Sequence, residues 1–127
     1  MTDTGIFRTT IGVEHITENG VITELPDTLV DTGSEFTWVP ATILEALGIP
    51  RRRRQGFELA DGSVITRDMG HAMVHAAGTV IPDLVVFAEP TDTTLMGVHT
   101  IEGMNLKIDF ARRELVPAGP VITAAAA

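Results

Sequence analysis

The sequence contains no cysteine and no tyrosine, and its aromatic side chains are one tryptophan and five phenylalanines. Without cysteine there can be no disulfide staple, no thiolate nucleophile and no cysteine metal site, so a packed core must supply the stability and other side chains the chemistry. Positive charge is scarce as well: 9 lysines and arginines stand against 17 aspartates and glutamates, a formal charge of −8. That balance is unsuited to a protein that lives on phosphates, and no nucleic-acid partner is expected. Long apolar runs are also missing. The longest, Leu84 to Ala88, is far shorter than the roughly 20 residues a membrane-spanning helix needs. Met1 to Thr10 lacks the basic start and apolar stretch of a leader. The expectation is a soluble cytoplasmic protein without a membrane partner.

What is present argues for one folded unit. At 44% hydrophobic residues, the chain is too apolar for disorder. Its 127 residues suffice for a single domain over 1–127 but not for two catalytic lobes, so chemistry that needs two lobes would need a second chain. Twelve glycines, seven prolines and short β-branched runs between turn signals predict an all-β domain with one or two short helices. Phe7 to His15 and Val21 to Leu25 are expected to pair as a hairpin around Glu18-Asn19-Gly20. Pro26 and Asp27 would interrupt or edge the chain before Thr28 to Val30. Ala41 to Leu47 is the expected helix, begun near Pro40 and stopped by Gly48 and Pro50. Phe57 to Ile65 reads as a hairpin whose tip, near Ala60 to Ser63, carries Asp61-Gly62. Ala72 to Ala76 and Val80 to Ala88 are further strands, Thr100 to Asn105 a helical turn, and Leu106 to Phe110 with Glu114 to Pro117 a closing hairpin. Residues 118–127 are expected to be a flexible tail, with Ala124 to Ala127 frayed.

The chemistry concentrates at Asp31-Thr32-Gly33-Ser34. An apolar strand precedes it and an extended segment, Phe36 to Val39, follows, so the Asp31 carboxylate sits in a loop held at both ends by a sheet. Gly33 permits close backbone approach, and Thr32 and Ser34 offer hydroxyls that can orient the carboxylate. A plain tight turn is the bland alternative.

With its surroundings, this motif resembles the retropepsin-like aspartic proteases, the single-lobe relatives of the pepsins. Leu29-Val30-Asp31-Thr32-Gly33-Ser34 matches the catalytic loop, and Leu59-Ala60-Asp61-Gly62-Ser63 lies where the family carries its flap. Leu95-Met96-Gly97 matches the second motif, and the three occur in family order. The resemblance implies a small, closed or folded β-barrel-like acid-protease fold. In it the second-motif glycine lets a strand pass beneath the catalytic loop, before a short helix and a closing strand. It also implies that Thr32 bonds across a dimer axis, Gly33 presents its backbone to substrate, Ser34 supports the outer carboxylate oxygen, and Ala60, Asp61, Gly62 and Ser63 close over an extended peptide.

Proteases of this class use two carboxylates sharing one proton to activate a water, with no metal and no cofactor. The chain has one Asp-Thr-Gly, and none of Asp3, Asp27, Asp61, Asp68, Asp83, Asp92 and Asp109 is followed by Thr-Gly or Ser-Gly. The partner carboxylate is therefore expected to be Asp31 of a second copy in a two-fold homodimer. Peptide-bond hydrolysis of a peptide or protein substrate is the expected activity. A non-catalytic peptide-binding or dimerisation domain on the same fold is the alternative.

The remaining features read more plainly. Four like charges, Arg51 to Arg54, are expected on a solvated loop or strand edge, where they could also bias substrates toward acidic peptides. His71 and His75 have the spacing of a metal pair on a helix, but on a strand they would stand about 13 Å apart. Trp38 and Phe36 are read as core or cleft wall, and Glu45 as a helix-surface residue. Val98 and His99 replace the basic and the acidic or amide residue that follow the second-motif glycine in many relatives, which would leave Glu35 without an ion-pair partner. With no tyrosine in the flap, the closing contacts must differ from those of pepsins.

Overall fold

The computed structural model describes residues 7–18 and 20–124. Asn19 of the expected first turn and residues 125–127 of the expected tail lie outside them. Strands dominate, with two short helices among the described residues. The elements are β1 (Phe7–Glu14), β2 (Ile22–Val30), β3 (Thr37–Pro40), α1 (Ala41–Ala46), β4 (Arg53–Glu58), β5 (Val64–Ala76), β6 (Thr79–Ala88), β7 (Leu95–Met96), α2 (Val98–Gly103), β8 (Leu106–Asp109) and β9 (Glu114–Pro117). The large sheet runs β1-β2-β7-β3-β6-β5-β4, and β1 pairs again with β5. That extra pairing, Gly12↔His75 to Glu14↔Met73, curls the sheet into a partly closed barrel. Strand β4 hangs outside the closure as a free edge, while β8 and β9 form a separate two-stranded sheet.

Alternation decides which faces pack. Ile11, Val13, Val30, Val39, Val74, Val85 and Phe87 are almost wholly buried and fill the barrel, joined by Leu44 from α1 and Ile101 and Met104 from the α2 region. Helix α1 ends by local geometry. Gly48 sits at φ 76°, its N–H donates to the Glu45 carbonyl, and the Ile49 N–H reaches back to Leu44. This is the paired bond pattern that a glycine just past a helix end allows.

Three expectations about the elements need correction. Pro26 and Asp27 do not break β2. The pairing slips between Thr9↔Thr28 and Ile11↔Leu25, so two residues oppose Thr10 in a β-bulge. Asp27 there takes φ 57°, the Thr28 hydroxyl donates to the Leu25 carbonyl and Arg8 donates to the Asp27 carbonyl. Second, the flap hairpin's returning arm and the expected strand Ala72 to Ala76 are one 13-residue strand, β5. Its first half pairs with β4 and its last residues with β1, while β6 pairs with it from Met69 to Ala76. Third, the second helix begins at Val98 rather than Thr100. The Val98 and His99 N–H groups find carbonyl partners on Ser34 and Glu35, so the first turn can start directly after Gly97.

The closing hairpin of β8 and β9 forms as expected, Leu106↔Pro117 to Asp109↔Glu114. The start of the expected flexible tail is tied down: the Ala118 N–H donates to the Asn105 carbonyl and the Asn105 side-chain amide to the Gly119 carbonyl. Arg51 to Arg54 are exposed and run into the edge strand β4, in line with their charge.

One ion pair, silent in the sequence, links the flap strand to the segment that leads into β7. Arg67 of β5 forks onto both oxygens of Asp92, Nε to Oδ2 at 2.7 Å and Nη2 to Oδ1 at 2.9 Å, with both side chains 13% exposed. Asp92 also accepts the Glu89 N–H. The Arg67 guanidinium, followed by that backbone bond, holds the Asp92 carboxyl below its ordinary value. Asp92→Ala should lower the unfolding free energy by about 2 kcal/mol, since it leaves a mostly buried guanidinium with only the Thr66 carbonyl and the exposed Glu89 carboxylate, 3.6 Å away. A carboxylate with a depressed folded pKa stabilises above its unfolded value and loses that contribution as pH falls through the folded one. The gap between wild type and variant in urea melts should therefore be full near neutrality and shrink below the ordinary value of 3.8. A gap independent of pH would count against the charge pair.

Candidate active site

Strand β2 delivers Asp31 to the junction of three strands. Leu29 and Val30 pair in parallel with Leu95 and Met96, and β7 also pairs with β3 at Trp38↔Leu95. The Asp31 N–H continues the ladder onto the Met96 carbonyl at 3.0 Å. Beyond it the chain leaves the sheet and turns. The Gly33 N–H donates to Asp31 Oδ1 at 2.9 Å, and the Ser34 N–H to the Asp31 carbonyl at 3.2 Å. Val30 beneath is fully buried, Asp31 is half-buried, and Thr32 and Gly33 are exposed. A rigid base thus carries a carboxylate that is held through one oxygen and open to solvent. Within the chain that hold comes from the Gly33 amide, and Ser34 contributes its backbone rather than its hydroxyl.

The second motif runs under this loop. A Cβ built on Gly97 would lie 2.4 Å from the Phe36 carbonyl oxygen and 2.8 Å from that of Glu35, so only glycine fits the crossing. Met96, Val98 and His99 bond the loop's backbone from both sides, at Asp31, Ser34 and Glu35. The Gly97 N–H donates to Thr37 Oγ1 at 3.0 Å. Thr37 Oγ1 bonds Thr100 Oγ1, and the Thr100 hydroxyl donates to Asp83 Oδ2. With Asp83 ionised, these contacts fix every hydrogen: Gly97 to Thr37, Thr37 to Thr100, Thr100 to Asp83. Burial pushes the Asp83 carboxyl up, against the lowering effect of the Thr100 and Leu84 hydrogen bonds. Thr37 and Thr100 are completely buried, so this chain pins Gly97 from below. Neither threonine nor Asp83 stood out in the sequence. An acid beside the apolar run Leu84 to Ala88 was the one available hint.

The flap hairpin forms where expected. Glu58 pairs with Val64, the Leu59 N–H meets the Ser63 carbonyl and the Gly62 N–H the Leu59 carbonyl, and Gly62 takes φ 87°. Asp61 Oδ1 accepts both the Ser63 N–H and the Ser63 hydroxyl, which lower its pKa. Ala60 to Ser63 are exposed, and the tip is braced by its own hydrogen bonds.

Between hairpin and loop lies a cleft of about 420 Å³, walled by Gly33 to Phe36 and Trp38 on one side and by Gln55 to Leu59 on the other. Phe57 of β4 meets Phe36 edge-on at 6.4 Å and Trp38 at 5.0 Å between ring centres. The expected cleft-wall pair is therefore a trio. A second hollow, about 360 Å³, lies along Thr10 to Gly12 and His75 to Val80 and holds no residue of the three motifs.

Beside Glu35 stands His99 rather than a lysine or arginine: its Nε2 lies 4.0 Å from Glu35 Oε2, a contact that becomes an ion pair only when the imidazole is protonated, and its ring packs 5.0 Å from Phe36. His71 and His75 both lie on β5, and His75 Nε2 bonds Glu14 Oε1 at 2.7 Å. Among the described residues no three histidines, aspartates or glutamates come together as a metal site. Compared with known protein families and with curated proteins, the sequence matches none.

Proposed function

We propose that the chain is one half of an aspartic endopeptidase, completed by a second copy. The observation that carries this reading is the Asp31 loop, locked onto Met96 and seated over Gly97, beside a cleft whose far wall is the first arm of a braced, exposed hairpin. Such a base holds a carboxylate still, and its exposed Thr32 and Gly33 are free to meet an equivalent loop across a two-fold axis.

Two Asp31 carboxyls brought together in this way share one proton, because two adjacent negative charges repel. A water lies between them. The ionised carboxylate takes a proton from it as the oxygen attacks the scissile carbonyl, and the protonated partner donates to the carbonyl oxygen, giving a tetrahedral gem-diol. Proton transfer to the amide nitrogen and return of a diol proton to the carboxylate pair then break the C–N bond, releasing an acid and an amine. No covalent enzyme intermediate forms. The backbone of the Ala60 to Ser63 tip supplies hydrogen bonds to an extended substrate and limits access of bulk water.

The test is cleavage of a mixed peptide library across enzyme concentration and pH. Specific activity should rise with concentration through the dimer dissociation range and peak at mildly acidic pH, where the pair holds one proton. Activity independent of concentration, from a monomer by light scattering, would remove the shared site. Peptide binding by a dimer without any turnover would favour a non-catalytic peptide-binding domain.

A further inference from the structure

We infer that the cleft selects peptides bearing an arginine or lysine side chain. The inference rests on the reading of this cleft as the peptide site. Its floor is the aromatic trio of Phe36, Trp38 and Phe57. Each wall adds one carboxylate, Glu35 beside Phe36 in the Asp31 loop and Glu58 beside Phe57 at the end of β4. No lysine, arginine or histidine lines it. Among the described residues Glu58 has no basic partner, and Glu35 has only the His99 imidazole, 4.0 Å away and charged only when protonated.

A long cationic side chain suits this combination. Its methylene stem packs on ring faces, its head is attracted to the rings' negative faces, and Glu35 and Glu58 among the lining residues add negative charge around it. A purely aliphatic residue would use the floor and leave the charges of Glu35 and Glu58 unmatched. An acidic residue would meet like charges, in a protein whose net charge is −8.

Three of the four arginines in the run are engaged outside the cleft. Arg51 is bound to Glu45 and Asp68, Arg54 also reaches Asp68, and Arg53 lies against the Met69 sulfur. The run enters β4 at the end away from Glu58. On this reading the cleft favours basic peptides, the opposite of the bias that the exposed run suggests.

The decisive experiment is fluorescence anisotropy with the non-cleaving Asp31→Asn protein. The probes are otherwise neutral labelled octapeptides in which a single arginine is walked along the sequence, each matched by a citrulline and a norleucine version. At one register or more, the arginine peptide should bind about tenfold more tightly than its citrulline isostere at low salt. The preference should drop to about twofold in Glu35→Gln/Glu58→Gln and in molar salt. Binding of citrulline or norleucine peptides as tightly as arginine at every register would overturn the inference and leave the peptide site standing. If no peptide of any register binds, both fall.

Discussion

Asp31→Asn should abolish peptide cleavage, by at least about 10³-fold, while leaving fold and dimer unchanged. Asparagine is the same size, and its carbonyl oxygen can still accept the Gly33 N–H that holds Asp31 Oδ1. The ladder bond to Met96 uses backbone alone. What is lost is the capacity to take and return a proton. Because each active site would draw one carboxylate from each of two chains, the variant should also poison wild type. After subunit exchange at equal concentrations, about a quarter of dimers would keep two aspartates. Total activity should fall to roughly half of the wild type's own, since the total number of dimers has doubled. Undiminished activity in the mixture would mean that each chain works alone. Cleavage by pure Asp31→Asn at the wild-type rate would remove Asp31 from the mechanism.

Gly97→Ala should be the most damaging single methyl in the molecule, costing about 3 kcal/mol or more. The added Cβ would sit 2.4 Å from the Phe36 carbonyl oxygen and 2.5 Å from its carbon. Both are backbone atoms of a loop pinned at Ser34 and Glu35 by the start of α2, so neither can swing aside. The Gly97 N–H to Thr37 would be dislodged too, and with it the buried chain through Thr100 to Asp83. Gly56→Ala is the control: its Cβ would meet only Val64 Cγ1 at 3.6 Å, and its unfolding free energy from urea melts should lie within about 0.5 kcal/mol of wild type. If Gly97→Ala melts alongside that control, the close crossing described here is wrong.

Much of the architecture was readable from residues a few positions apart. Asp61-Gly62 makes its own turn because glycine takes positive φ freely and the aspartate caps the following serine. Gly48 ends α1 for a similar reason, and the apolar residues of β1 and the continuous run Leu84 to Ala88 in β6 need only a core to bury them. Asp31-Thr32-Gly33 after an apolar strand located the candidate carboxylate, and the single copy of that motif raised the question of a second chain. Boundaries failed where distant segments intervened. Pro26-Asp27 looks like a break, yet β1 absorbs it as a bulge by continuing its pairing on both sides. Met69-Gly70 looks like a gap between strands, yet β6 carries β5 straight through.

The site's working parts belong to that second kind. Nothing within a few residues of Gly97 shows that Phe36 will lie against it, and Arg67 and Asp92 carry no local mark of their pairing across 25 positions. Thr37, Asp83 and Thr100 are ordinary residues until strand register stacks them. These contacts depend on which strands become neighbours and in what register. That choice is made by burial of the whole barrel, whose free energy is spread over every strand and written in no single motif. Local chemistry chose the carboxylate and the turns; packing of the closed sheet set what holds them.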